Sequence, residues 1–300
     1  MILFVLSGTS KNLKTGTSLS KVKEHKVAGG IQYDYSQNSK VEKAYDEWHD
    51  CVVKRLGDNI NDAQKLWGVF RDTINDCRTT TAMKNLNMSG VHNKDEFKFH
   101  LFNQTDKNPS YVVTLGVGWD VKAEELLKGL LPNGSLFFGA DPIYAKNDEL
   151  FSKIGQFYPI AVGNETKVSQ AYVMPPEKKG WYVFQTMVHI DIITFLKKLV
   201  AQNFVDQLLM DNEGPEYDII PMMGVNREFD DNGLVVCQIN AEIHSGHPNH
   251  MERLQTMFQQ VLKDRRYAVL YVVSTGHHRT FLLNMDNKRC VEKYVAQYFK

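Results

Sequence analysis

An α/β fold on a wound, mostly parallel sheet is predicted by three observations. Short apolar runs alternate with helical patterns from about residue 97 onward. The run at 111–115 ends in a Gly-x-Gly turn, and two later runs stop abruptly at acidic residues. An antiparallel hairpin at one edge and an N-terminal helical element complete the expected architecture, divided into a leader with helical hairpin over 1–95 and a sheet domain over 96–300.

The helical element comes first. Residues 1–40 are polar and Gly/Ser-containing apart from the apolar start 1–6, which is shorter than a signal-peptide core and reads as a weakly packed terminus. Val41, Tyr45, Trp48, Val52 and Leu56 then share one helical face. A break at Gly57-Asp58-Asn59 separates them from a second face carrying Ala63, Trp67, Phe70, Ile74 and Cys77, so a helical hairpin is expected, with Trp48 and Trp67 stapling it together or docking it on the sheet. In regular helices Cys51 and Cys77 lie about 15 Å apart along the axis. A disulfide needs Cα atoms within about 7 Å, so the two are expected to pair only if the second helix bends or ends early.

Phe97, Phe99 and Leu101 alternate with Lys98 and His100 as in a half-buried strand, which places the start of the sheet here. Runs at 111–115, 135–139, 157–162, 205–210, 234–243 and 267–273 are the following strands, with helices at 121–130, 191–200 and 251–262 between them. This alternation implies right-handed crossovers and a parallel sheet buried on both faces. The run 281–283 follows 267–273 after a short turn and is expected to form the edge hairpin. Tyr144, Phe151, Phe157 and Phe184 are read as packing residues.

Thirty-five basic and 35 acidic residues cancel, which removes the electrostatic footprint of a general nucleic-acid binder. No segment is long enough to cross a bilayer as a helix. Four cysteines without a CxxC pair argue against structural zinc and leave two disulfides open. Glycosylation sequons begin at Asn87, Asn103, Asn133 and Asn164, compatible with the secretory pathway, while a cytoplasmic location also stays open. Nothing in the sequence sets the oligomeric state.

Three strand ends carry the candidate chemistry. Gly116 and Gly118 follow the first buried strand, where backbone must approach a ligand closely. Asp141 closes the next strand, at a spacing suited to accepting hydrogen bonds from a cofactor ribose. Asp211-Asn212-Glu213-Gly214-Pro215-Glu216 closes a third, and its three acids exceed what capping the following helix requires. Glu242 and His244 lie on one face of a later strand, and either is a candidate general base if that strand flanks the site. His244, His247 and His250 have i, i+3 spacing, but Gly246 and Pro248 break the helix through them, so no metal site is expected. His277-His278 is assigned no chemistry.

These residues resemble the FkbM-type methyltransferases. Asp211 to Glu216 match that family's D-x-E-G-x-E signature, Tyr158-Pro159-Ile160-Ala161-Val162-Gly163 looks like its strand ending in A-V-G, and Asp141-Pro142 stands where the family has an acid followed by proline. His189-Ile190-Asp191 with Phe195-Leu196 is similar to the segment before its fourth strand, so the likeness spans residues 111–223. The resemblance implies a Rossmann-like class I methyltransferase sheet, S-adenosylmethionine as cofactor, and a small-molecule or glycan hydroxyl as methyl acceptor. It assigns Gly116, Gly118, Asp141, Pro142 and Ala161 to the cofactor and Asp211 and Glu213 to catalysis, to which strand alternation adds His244 as a candidate base. Thr114 departs from the pattern, standing where the family has an acid, and Trp119-Asp120 replaces small residues, with Asp120 a spatial substitute for the missing charge. These departures favour a non-catalytic scaffold as the alternative; a nicotinamide oxidoreductase is disfavoured because no full GxGxxG follows the first strand.

Overall fold

The computed structural model describes residues 33–300 except Gln104 and Lys179. The apolar run 1–6 lies outside them. Helix α1 (Ser39–Leu56) starts at Asn38, whose side chain accepts the N–H groups of Lys40 and Val41, and ends at Gly57 with φ +48°. A 3-10 segment, Gly57–Asn61, leads to α2 (Ala63–Thr80), capped by Asp62.

The expected cysteine mismatch is not observed. Cys51 and Cys77 form a disulfide with Cα atoms 5.7 Å apart, although α2 runs unbroken past Cys77 to Thr80. The sequence reading reversed the chain at Gly57. A 3-10 segment, Gly57–Asn61, and the cap Asp62 separate the helices, so α2 begins later than a tight turn at Gly57 would have it. Cys237 and Cys290 form the second disulfide, Cα atoms 5.2 Å apart.

Strands β1 (Ser89–His92) and β2 (Phe97–His100) pair only with each other, as an antiparallel hairpin, so the main sheet does not start at Phe97. Residue 95 lies in the turn of this hairpin. Side-chain amides substitute for a neighbouring strand: Gln238 Oε1 and Asn240 Oδ1 each accept at 2.7 Å from the N–H groups of Leu101 and Phe99, and their amide nitrogens donate back to the same residues' carbonyls.

The remaining elements follow in order: β3 (Tyr111–Leu115), α3 (Lys122–Leu130), β4 (Leu136–Ala140), α4 (Asn147–Phe151), β5 (Gln156–Tyr158), β6 (Ala161–Gly163), β7 (Lys167–Val173) and β8 (Val183–Asp191). Then come α5 (Ile192–Thr194), continued by a π-helical turn Phe195–Val200, β9 (Phe204–Met210), α6 (Glu216–Met222), α7 (Glu228–Asp231) and β10 (Val235–Ile243). The chain ends in α8 (His250–Asp264), β11 (Tyr267–Ser274), β12 (His278–Asn284) and α9 (Lys288–Cys290).

Seven strands form the main sheet in the order β11-β12-β10-β9-β3-β4-β5, in which only β12 runs against the others. This is the mostly parallel sheet with an antiparallel edge hairpin that the sequence predicts. Because β4 and β9 lie on opposite sides of β3, the chain leaves β3's end in both directions. The carboxyl edge of β3 and β9 is therefore the switch point where open α/β sheets bind ligands.

One expected strand is two. Residues 157–162 divide between β5, at the edge of the main sheet, and β6, which joins β8 and β7 in a separate three-stranded sheet. Pro159 lies between the halves and cannot donate a ladder hydrogen bond. The hairpin helices pack on the sheet in one continuous core with Trp48, Phe70, Leu208, Ile239 and Phe281, while a smaller cluster on the other face includes Val112, Leu127, Phe137 and Phe151. Trp67 docks against the rings of His250 and His278. Tyr144 and Phe184 are not core residues: they are 60% and 66% exposed.

Candidate active site

The strand ends of β3, β4 and β9 open into a cavity of about 290 Å³, roofed by the β6-β8-β7 sheet. Its lining includes Gly116, Gly118, Asp141, Pro142, Ala161, Asp211 and Glu213, so seven of the eight residues singled out from the sequence converge here. His244, the eighth, stands directly behind Asp211 and Glu213.

Gly116 is required by packing. Its φ is +81°, and a Cβ built on it would lie 1.8 Å from the backbone carbonyl oxygen of Asp211, so any side chain would push β3 and β9 apart. Gly118, at φ +60°, faces open space instead. Asp141 shapes the turn between them: Oδ2 accepts the N–H groups of Val117 and Gly118 at 2.9 and 3.2 Å, and Oδ1 accepts that of Ile143 at 2.8 Å. Oδ1 retains an acceptor lone pair. Burial raises the Asp141 pKa, and the three backbone donors oppose that shift.

Thr114 turns away from the cavity and donates to Glu124 of α3 at 2.9 Å, where burial raises the carboxyl's pKa. Asp120 does not take the place of the missing acid. Its carboxylate accepts the N–H groups of Lys94 and Lys122, and it does not line the cavity.

The acidic turn after β9 is held in an uncommon conformation. Glu213 has φ +58° and Gly214 φ +119°. Glu216, fully buried, accepts the Gly214 N–H with one oxygen at 2.7 Å and faces His244 Nδ1 with the other at 2.7 Å. His244 Nε2 lies 3.3 Å from Asp211 Oδ1 and 3.5 Å from Glu213 Oε2. Burial opposes charge on this imidazole, but Asp211 and Glu216 outweigh it and raise its pKa far above the ordinary value. Burial likewise pushes Asp211 up, yet His244, Lys98 and Arg279 hold it below the usual carboxylate range. Glu213 is raised to about 7 by burial, with Asp211 and Glu216 adding to the shift and His244 and a hydrogen bond from Tyr182 opposing it.

Several contributors escaped the sequence reading. Asn147 fixes the glycine turn by accepting the Trp119 N–H at 2.9 Å. Tyr182 reaches the site from the roof, and the His277 ring lies 4.8 Å from that of His244, tilted by 58°. Behind them Glu242 lies 3.2 Å from Arg279, which also approaches Glu96, itself paired with Lys98. The spacing of His277-His278 just before an edge strand was the one available signal, because a turn at that end of β12 must lie beside the end of β10.

A cavity at the switch point of a wound sheet, with glycines at one strand end and acids at the next two, is the arrangement of an α/β protein with a candidate ligand site at its carboxyl edge. The chain belongs to the methyltransferase FkbM domain family, whose pattern matches residues 70–289. A Caenorhabditis elegans protein described as uncharacterized protein C28H8.7 is 22% identical over 268 residues, 88% of this chain and 84% of that protein. The solved METTL16 MTase domain aligns with a TM-score of 0.34 and 8% identity over 60% of this chain and 62% of that one, so the chain spans less than two thirds of its length. Among the described residues, no helix is long and apolar enough to cross a membrane.

Proposed function

We propose that the protein is an S-adenosylmethionine-dependent methyltransferase acting on a hydroxyl of a small molecule or glycan. The observation that carries this reading is the meeting, in one cavity of an FkbM-family chain, of the glycine turn, Asp141 and the Asp211-Glu213 carboxylates. Two further features suit the cofactor. Asn212 Oδ1 is buried without a hydrogen-bond partner while Nδ2 donates to Val162 O at 3.0 Å, so a ligand N–H directed at Oδ1 would remove an unsatisfied acceptor. The space beyond Gly118 admits a ligand where a side chain would intrude.

When bound, S-adenosylmethionine supplies an already activated methyl group. The chain's part is alignment and proton removal. Asp211 and Glu213 stand at the cavity wall, and a carboxyl with a pKa of about 7 is matched to taking a hydroxyl proton near neutrality. Tyr172, Tyr182 and Phe184 form an aromatic rim with ring centroids 4.9 and 5.2 Å apart, a surface on which a sugar or planar acceptor stacks.

The two disulfides favour an oxidising compartment, and Asn87, Asn133 and Asn164 of the sequons are exposed, so we place the protein in the secretory pathway. The test is transfer of labelled methyl to a panel of hydroxylated acceptors. Activity reduced at least a hundredfold by Glu213→Gln supports the assignment; full activity in that variant refutes Glu213's role, and inactivity of well-folded wild type across the panel favours the scaffold alternative.

A further inference from the structure

We propose that Asp211, Glu213 and His244 bind a divalent transition-metal ion at the cavity wall. The i, i+3 spacing of His244, His247 and His250 lies on a stretch that Gly246 and Pro248 break. The structure assembles a different set, from the ends of β9 and β10.

The argument begins with the histidine's two nitrogens. His244 is 3% exposed, and its Nδ1 is engaged by Glu216 Oε1 at 2.7 Å. Both Glu216 oxygens are occupied, so this carboxylate fixes the ring with Nδ1–H as donor and directs Nε2 at Asp211 and Glu213; the proton that Nε2 carries in the metal-free site is released when an ion binds. A buried carboxylate holding the far nitrogen is the usual support of a metal-ligating histidine. The gaps from Nε2, 3.3 and 3.5 Å, exceed the roughly 2.7–2.9 Å of a charge-assisted hydrogen bond. They match instead the edge of a tetrahedron, about 3.3–3.4 Å for metal–ligand bonds of about 2.0–2.1 Å. All three ligand atoms lie within 4.8 Å of one another.

Neighbouring groups are excluded by their own partners. His277 Nδ1 accepts the Ser245 N–H at 3.0 Å, so its neutral ring carries the proton on Nε2 and offers no lone pair there. Glu242 and Glu96 face Arg279 at 3.2 and 3.5 Å. Asp211 and Glu213 have His244 as their only ion-pair partner among the described residues, and both line the cavity. One imidazole and two carboxylates suit manganese or zinc, with further coordination positions open toward the cavity. The role rests on the methyl-transfer reading: with the ion bound, Glu213 is a ligand rather than the proton acceptor, and the ion would hold the acceptor's hydroxyl oxygen against the donor and lower its pKa. The binding itself does not depend on that reading.

Chelator-stripped wild-type protein titrated with Mn2+, followed by the loss of the free-ion electron paramagnetic resonance signal, is expected to bind one ion saturably. Glu213→Gln and His244→Gln should each weaken binding at least tenfold, and Glu216→Gln about tenfold through loss of orientation. Glu42→Gln, exposed on α1 away from the cavity, should leave affinity unchanged. Circular dichroism verifies the fold of each variant, and Glu213→Gln, at the cavity surface, carries the test if His244→Gln does not fold. Folded wild type that binds neither Mn2+ nor Zn2+ up to millimolar concentration overturns the proposal, as does unchanged affinity in folded Glu213→Gln. A parallel titration with S-adenosylmethionine separates the two readings: metal without cofactor sustains this site and removes the methyltransferase, whereas cofactor without metal does the reverse.

Discussion

Replacing Cys237 and Cys290 together by alanine removes a crosslink between residues 53 apart in sequence, joining β10 to α9. The loss is chiefly a gain of freedom in the unfolded chain. For a closed stretch of that length, chain entropy gives about 4.2 kcal/mol at 25 °C, against about 3.5 kcal/mol for the 26-residue Cys51–Cys77 stretch. Both Cys237 and Cys290 are fully buried, so small cavities add to the larger figure. Urea unfolding followed by circular dichroism measures this directly. With a slope on the order of 3 kcal/mol per molar urea, the midpoint should fall by roughly 1.4 M for Cys237/Cys290 and roughly 1.2 M for Cys51/Cys77. Unchanged midpoints in either double variant would refute the reasoning, and with it the structural ground for an oxidising compartment.

Two other perturbations probe the fold and its pH response. Gly118→Ala meets open space and should cost only the left-handed backbone penalty of about 1–2 kcal/mol, a fall in Tm of roughly 3–6 °C. Gly116→Ala drives a Cβ into the Asp211 carbonyl and should at least double that fall in a thermal scan; equal Tm values would contradict the close approach of β3 and β9. His100 is fully buried beside Lys98, and burial lowers its pKa to about 3. Since the folded value is depressed, stability is complete above the unfolded value of about 6.5 and is lost as pH falls from there toward 3, by about 2 kcal/mol at pH 5. His100→Leu should remove that share of the pH dependence, and an unaltered pH profile would show that His100 titrates normally.

The strands that build the cavity were legible because full burial leaves a local mark. β3, β4 and β9 are buried almost throughout and mostly apolar, with Thr114, Asp206 and Gln207 the polar exceptions, and the chain changes to glycine or acid at the residue that follows each strand. The roof was not legible. Its β7 and β8 expose Val168, Tyr172, Phe184 and Val188, so hydrophobic residues there report no core and the alternation loses its meaning. The β5-β6 division was hidden because both halves are apolar and differ only in the sheet they join. His244 could be nominated from strand alternation, but its relation to Asp211 and Glu213 depends on β10 lying beside β9, a pairing between distant segments. Glu216 looked like a helix-capping acid and does act on the Gly214 N–H; its second oxygen, on His244, is visible only in three dimensions.

The central claim is that this cavity holds S-adenosylmethionine. Calorimetric titration of wild-type protein with S-adenosylmethionine and with its demethylated product, repeated on Asn212→Ala, tests it most directly. The account predicts one saturable site for both ligands, weakened about tenfold when the orphaned Asn212 acceptor is removed. Absence of binding of either ligand by well-folded wild-type protein would contradict it.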